Sequence, residues 1–135
     1  MDDFSEELEI QQFSEPGYKP LIYSQGDWMA ALMNGTEVSW KKPSKLEIHP
    51  DTDELFVLTS GKANLIMGGK NKSPENIKVI NMEKGVLYNV KAGAWHATPM
   101  SPDATFVIIE KTGTNITGTF YADLTEEQIS KLELI

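Results

Sequence analysis

The chain contains only two histidines, His49 and His96. His49 stands two residues after Glu47 and five before Glu54, while His96 is far downstream. Residues two apart on a β-strand project to the same face, so Glu47 and His49 share one if the stretch from Lys45 is extended. Pro50 stops that strand, Asp51-Thr52-Asp53 turns the chain, and Glu54 opens the apolar run Leu55–Leu58 that Gly61 closes. Two adjacent strands then carry Glu47, His49 and Glu54 at their touching ends. Imidazole and carboxylate groups gathered on neighbouring strands suit a divalent metal site or a buried acid–base site.

The elements that must position these groups are short. Leu21–Tyr23, Trp28–Met33, Lys62–Met67, Ile77–Ile80, Val86–Val90, Trp95–Thr98 and Thr105–Glu110 read as strands separated by Gly, Pro, Asn and Asp. Asn34-Gly35 predicts a tight turn into a short partner strand, Val38-Ser39-Trp40. Gly113, Asn115 and Gly118 predict a loose segment before an edge strand at Thr119–Tyr121. Residues 5–12 form either a short helix capped by Ser5 or a mobile tail. Thr125 and Gln128 form a capping box for a terminal helix over residues 124–135, with Leu124, Ile129 and Leu132 on one face. Regularly spaced short strands with one terminal helix indicate an antiparallel barrel or sandwich.

Composition narrows the function classes. A chain of 135 residues is one domain by length. Its formal charge of −8 argues against nucleic acid or an anionic membrane as partner. The absence of cysteine removes disulfides, thiolate ligands and a cysteine nucleophile. The acidic start lacks the basic and apolar regions of a secretory signal, and no apolar stretch approaches a membrane span, so the expected compartment is cytoplasmic.

Two segments resemble the paired motifs of the cupin superfamily. The first motif has two histidines two apart, a glutamate five residues after the second, and a glycine seven beyond. His49, Glu54 and Gly61 match it, and Glu47 stands where the family has its first histidine. The second motif has a glycine, then proline-x-glycine, then a histidine three residues after that glycine. Gly85, Gly93 and His96 match these places, with Lys91 replacing the proline. Thr52–Leu58 and Ala94-Trp95-His96 also resemble a group of small single-domain bacterial cupins of unassigned function. The resemblance implies an all-β, cupin-type antiparallel jelly-roll barrel with a short C-terminal helix. Residues 1–16 would be an acidic N-terminal segment, about 21–121 the barrel, and 124–135 the helix.

Carried over by position, the family's metal ligands fall on Glu47, His49, Glu54 and His96. A site with two imidazoles and two carboxylates suits Mn²⁺, Fe²⁺, Ni²⁺ or Zn²⁺. The resemblance then implies a homodimer whose barrel pocket binds a small polar metabolite, a sugar or a carboxylic acid. As an enzyme it would use the metal as a Lewis acid, or Glu54 and His96 as an acid–base pair, for isomerase or lyase chemistry rather than oxygenation. The alternative is a metal-free ligand-binding or sensory pocket. Phe56, by its parity with Glu54, and Tyr88, by its hydroxyl, are the candidate substrate contacts.

Overall fold

The computed structural model describes residues 6–135. Ten strands and two short helices follow one another as β1 (Gly17–Ser24), β2 (Trp28–Asn34), β3 (Lys45–Ile48), β4 (Glu54–Ser60), β5 (Asn64–Met67), β6 (Lys78–Asn81), β7 (Leu87–Val90), β8 (His96–Ala97), β9 (Thr105–Lys111), α1 (Thr114–Thr117), β10 (Phe120–Asp123) and α2 (Glu126–Lys131). They build two five-stranded antiparallel sheets, ordered β1-β2-β9-β4-β7 and β10-β3-β8-β5-β6.

Alternation along the strands explains why the sheets face each other. On β4 and β9, Phe56, Leu58, Phe106 and Ile108 are buried while their neighbours are more exposed. These side chains fill the space between the sheets together with Leu65, Met100 and Val90. The second sheet is covered on both faces. Leu65 of β5 turns inward, whereas Ile66 joins Leu46, Trp95, Leu124 and Leu132 in a second core beneath α2. That double burial is why β5 reads as an unbroken apolar run instead of an alternating one. Trp95 thus sits between layers, opposite in parity to His96.

Three local expectations are corrected. Val38–Trp40 is not a strand, because its backbone is satisfied within the loop. The Thr36 N–H donates to Ser39 Oγ at 2.9 Å, and the Ser39 N–H to the Thr36 carbonyl at 3.2 Å. Gly35 does not turn a hairpin; it lies against the Ser101-Pro102 backbone, where a Cβ would collide with the Ser101 carbonyl. The segment expected to be loose holds a single helical turn, α1, whose Gly118 N–H donates to the Thr114 carbonyl at 3.0 Å. Over residues 6–12 no helix forms, while Ser5, the proposed cap, lies outside the described residues.

The expected edge strand is present as β10, paired with β3. The Thr125–Gln128 capping box is also present, with Gln128 N–H donating to Thr125 Oγ1 at 3.0 Å. The helix is shorter than expected because the buried Asn64 amide claims the chain end. It bonds both the N–H and the carbonyl of Ile135, at 2.6 and 3.0 Å, drawing the last residues out of the helix. No helix among the described residues is long and apolar enough to cross a membrane.

Candidate metal centre

The first half of the site is made locally and the second is brought by the sheets. β3 ends at Ile48, before Pro50, leaving His49 just beyond the strand with its ring on the Glu47 side. The Asp51–Asp53 turn is fixed by Asp53, whose carboxylate accepts the Ala92 N–H at 2.8 Å and the Asn89 side chain at 3.0 Å. The Ala92 amide and the Asn89 side chain hold the Asp53 carboxyl below its ordinary pKa. Glu54 then starts β4 facing inward. Pairing of β3 with β8 sets Glu47 directly opposite His96. The Gly93 N–H also donates to the His49 carbonyl at 3.0 Å, joining the second motif to the first. Gly93 adopts φ 81°, a conformation that glycine enters without strain.

All four side chains expected to ligate a metal converge. One donor atom from each of Glu47, His49, Glu54 and His96 lies within 4.8 Å of all the others. Glu54 Oε1 is 2.9 Å from His49 Nε2 and 2.8 Å from His96 Nε2. Glu47 Oε1 is 3.6 Å from His49 Nε2 and 3.3 Å from His96 Nε2. Ligands bonded at about 2.0–2.2 Å and set at right angles on one ion lie about 3 Å apart, so this spacing fits a shared cation.

The far side of each imidazole completes the fit. His96 Nδ1 faces the Ala94 carbonyl at 3.0 Å. His49 Nδ1 faces Thr119 Oγ1 at 3.2 Å and the Gly118 carbonyl at 3.4 Å. Thr119 spends its own hydroxyl proton on the Thr114 carbonyl at 2.8 Å, so toward His49 it acts as acceptor. Each Nδ1 therefore carries a proton, and each Nε2 is turned to the common centre, the arrangement that orients a metal-ligating histidine. Nitrogen and oxygen donors without sulfur suit a divalent first-row transition metal.

Without a metal, the same groups form a charge network. Burial opposes the imidazolium form, but hydrogen bonds and charge from Glu47 and Glu54 outweigh it, raising His49 to about 10 and His96 to about 9. Burial likewise opposes ionisation of Glu47, and the two histidines overcome it, lowering that carboxyl to about 2. Glu54 is lowered for the same reasons. Glu47, where the family pattern has a histidine, is the open member of the set: its side chain is 31% exposed against 1–5% for the others.

A cavity of about 270 Å³ adjoins the centre. Phe56 lines it and meets the His96 ring edge-on, with centroids 6.0 Å apart. Tyr88 is not brought here. It faces inward opposite Phe56, but its hydroxyl accepts the Glu83 N–H at 2.9 Å and its ring lines a separate cavity of about 600 Å³ with Leu65 and Met67.

The cavity wall holds two groups that spacing around the motifs does not reveal. Glu110 is 5% exposed, accepts the Tyr18 hydroxyl at Oε1 (3.0 Å), and leaves Oε2 buried with no hydrogen-bond partner, 3.9 Å from His49 Nε2. Burial, and then the negative charge of Glu54, raise the Glu110 carboxyl to about 8. Burial and Glu110 together push the Tyr18 hydroxyl up as well. One signal in the sequence does point to Glu110. It keeps the parity of inward Phe106 and Ile108 on the most apolar strand, where a solvated glutamate has no place.

The two facing antiparallel sheets match solved structures of one fold. Pac13 from Streptomyces, a nucleoside dehydratase also seen with uridine, superimposes with a TM-score of 0.58 at 9% identity, over 87% of this chain and 88% of that one. The fold is that of a cupin. The cupin domain of Cnp3 from Schizosaccharomyces pombe gives a TM-score of 0.52 at 15% identity, over 73% of this chain and 65% of that one. A double-stranded β-helix protein from Klebsiella pneumoniae gives 0.56 at 19% identity, over 85% and 90%. No protein-family model and no curated protein sequence matches the chain. The cupin likeness is therefore one of fold, and function must be argued from the site.

Proposed function

We propose that this cupin-fold protein binds a divalent transition metal through Glu47, His49, Glu54 and His96, and a small polar metabolite, a sugar or a carboxylic acid, in the cavity beside it. The observation that carries this is the pair of engaged Nδ1 atoms, which leaves both Nε2 atoms facing two carboxylates. A metal held there supplies a Lewis acid toward a carbonyl or hydroxyl oxygen. Phe56 gives the cavity an apolar wall that limits water. Glu110, anchored by Tyr18 and lining this cavity, is the group placed to exchange a proton with an occupant. Isomerisation or elimination suits this set better than oxygenation, because a second carboxylate ligand does not specifically demand iron. The small-molecule occupant of the like-folded Pac13 supports a pocket of this kind.

A metal-free binding or sensory role is the second reading, favoured by the 2.8 and 2.9 Å contacts, which satisfy Glu54 and both histidines without an ion. Elemental analysis separates the two, on protein purified without a polyhistidine tag and dialysed against divalent metal. Stoichiometric metal that His96→Ala abolishes supports the first reading. Substoichiometric metal that His96→Ala leaves unchanged overturns it.

A further inference from the structure

The end of the loop that precedes β3 and the first residue of that strand carry three lysines in an acidic protein. Lys41, Lys42 and Lys45 are three of twelve basic residues in a chain of net charge −8. They line a second cavity, of about 500 Å³, whose inner end is formed by Glu47, His96 and Tyr121. Glu47 and Tyr121 also line the cavity at the metal centre, so the two spaces adjoin. Among the described residues none of these three lysines forms an ion pair, as is true of every lysine except Lys91 and Lys131. Lys45 is held instead by the Tyr121 ring, its Nζ 4.3 Å from the centroid. On β3, Lys45 and Glu47 share a face, and two residues of strand advance about 7 Å.

These three ammonium groups line a wall next to Glu47, the most exposed member of a buried imidazole–carboxylate cluster. We propose that Lys41, Lys42 and Lys45 form an anion subsite, which selects occupants carrying a carboxylate or phosphate about 7 Å or more from the group held at the metal centre, Lys45 being two strand residues from Glu47. This rests on the metal reading for the other end of the occupant. It deepens that reading by making the metabolite an anion, a phosphorylated sugar or a dicarboxylate, in place of a neutral sugar. Lysine suits the role because its ammonium acts as a point charge toward oxyanions of either geometry.

The test titrates wild type and the Lys41→Gln/Lys42→Gln double variant with inorganic phosphate and with pimelate, a dicarboxylate long enough to span the two ends, by calorimetry at two salt concentrations. Metal content is measured on the same samples. Both lysines are exposed, and glutamine keeps most of the stem, so the fold is retained. We expect a roughly tenfold loss of affinity for the preferred anion in the double variant, a weaker salt dependence, and unchanged metal content. The stronger of the two titrations tells phosphate from carboxylate. Equal affinities in wild type and variant, or no binding of either anion by wild type, would overturn the subsite. Wild type that holds no metal yet shows the tenfold loss would overturn the metal reading and uphold the subsite.

Discussion

Replacing Glu54 by glutamine keeps the shape of the site and removes the charge at its centre. Glu54 is 4% exposed, and its Oε1 contacts both Nε2 atoms, at 2.9 and 2.8 Å. In metal-free protein near neutral pH, both imidazoles are protonated around it, because their folded values stand at about 10 and about 9. With glutamine the histidines lose their shortest carboxylate contact and keep Glu47, with Glu110 3.9 Å from His49, and burial then drives them toward the neutral form. Breaking a buried charge pair by removing one partner costs about 3–5 kcal/mol. A loss of that size in a chain this long lowers Tm by roughly 10–20 °C.

The pH window follows from the signs. Raised histidine values mean that their stabilisation is full below 6.5 and is lost as pH rises through about 9 to 10. The lowered Glu54 value means that its contribution is present above 4.5 and is lost as pH falls through the folded value. The gap between wild type and Glu54→Gln should therefore be widest from about pH 4.5 to 6.5, shrink as pH climbs toward about 9 to 10, and shrink again as pH falls below 4.5. Urea melts of chelator-treated protein, followed by tryptophan fluorescence at pH 4, 7 and 10.5, measure it. A gap under about 1 kcal/mol at pH 7, or one that is the same at pH 10.5, would refute the charge network.

Two further outcomes are expected. Glu110 is raised to about 8, so wild type loses stability as pH climbs from 4.5 toward 8, and Glu110→Gln escapes this loss. The variant should exceed wild type by roughly 2–4 kcal/mol at pH 8.5 and match it at pH 4.5; an equal difference at both values in paired melts would sink the idea. Gly61 has φ 72°, and a Cβ there would lie 2.5 Å from Ala104 Cα. Gly61→Ala should destabilise by at least about 2 kcal/mol through strain and backbone collision, visible as a lower urea midpoint with an unchanged slope.

What was legible along the chain is what the backbone decides within a few residues. The two-residue spacing of Glu47 and His49, the stop at Pro50 and the inward start of β4 at Glu54 follow from strand periodicity. Thr125 and Gln128 cap α2 by their own hydrogen bonds. The resemblance of Gly93 and His96 to a second motif points to His96 as the fourth candidate ligand independently of the strand pairing. Val38–Trp40, expected as the partner strand after a tight turn at Asn34-Gly35, is no strand, because Thr36 and Ser39 offer the backbone closer partners than a neighbouring strand. Tyr88 faces inward as parity requires, yet parity fixes a face and not a position around the barrel, and β7 carries it to another cavity.

The sequence by itself determined the alternation that makes two sheets, the local half of the metal centre and the cap of the last helix, because each is written in contacts between near neighbours. Only the tertiary structure decided that β3 lies between β8 and β10. That order sets Glu47 between His96 and Tyr121, turns Thr119 and the Gly118 carbonyl onto His49, and leads Lys41 and Lys42 to the same opening. In the other sheet, the order β1-β2-β9 brings Tyr18 to Glu110 across 92 residues of sequence. Such contacts depend on how strands far apart in the chain share one sheet and one cavity, and no local spacing encodes that.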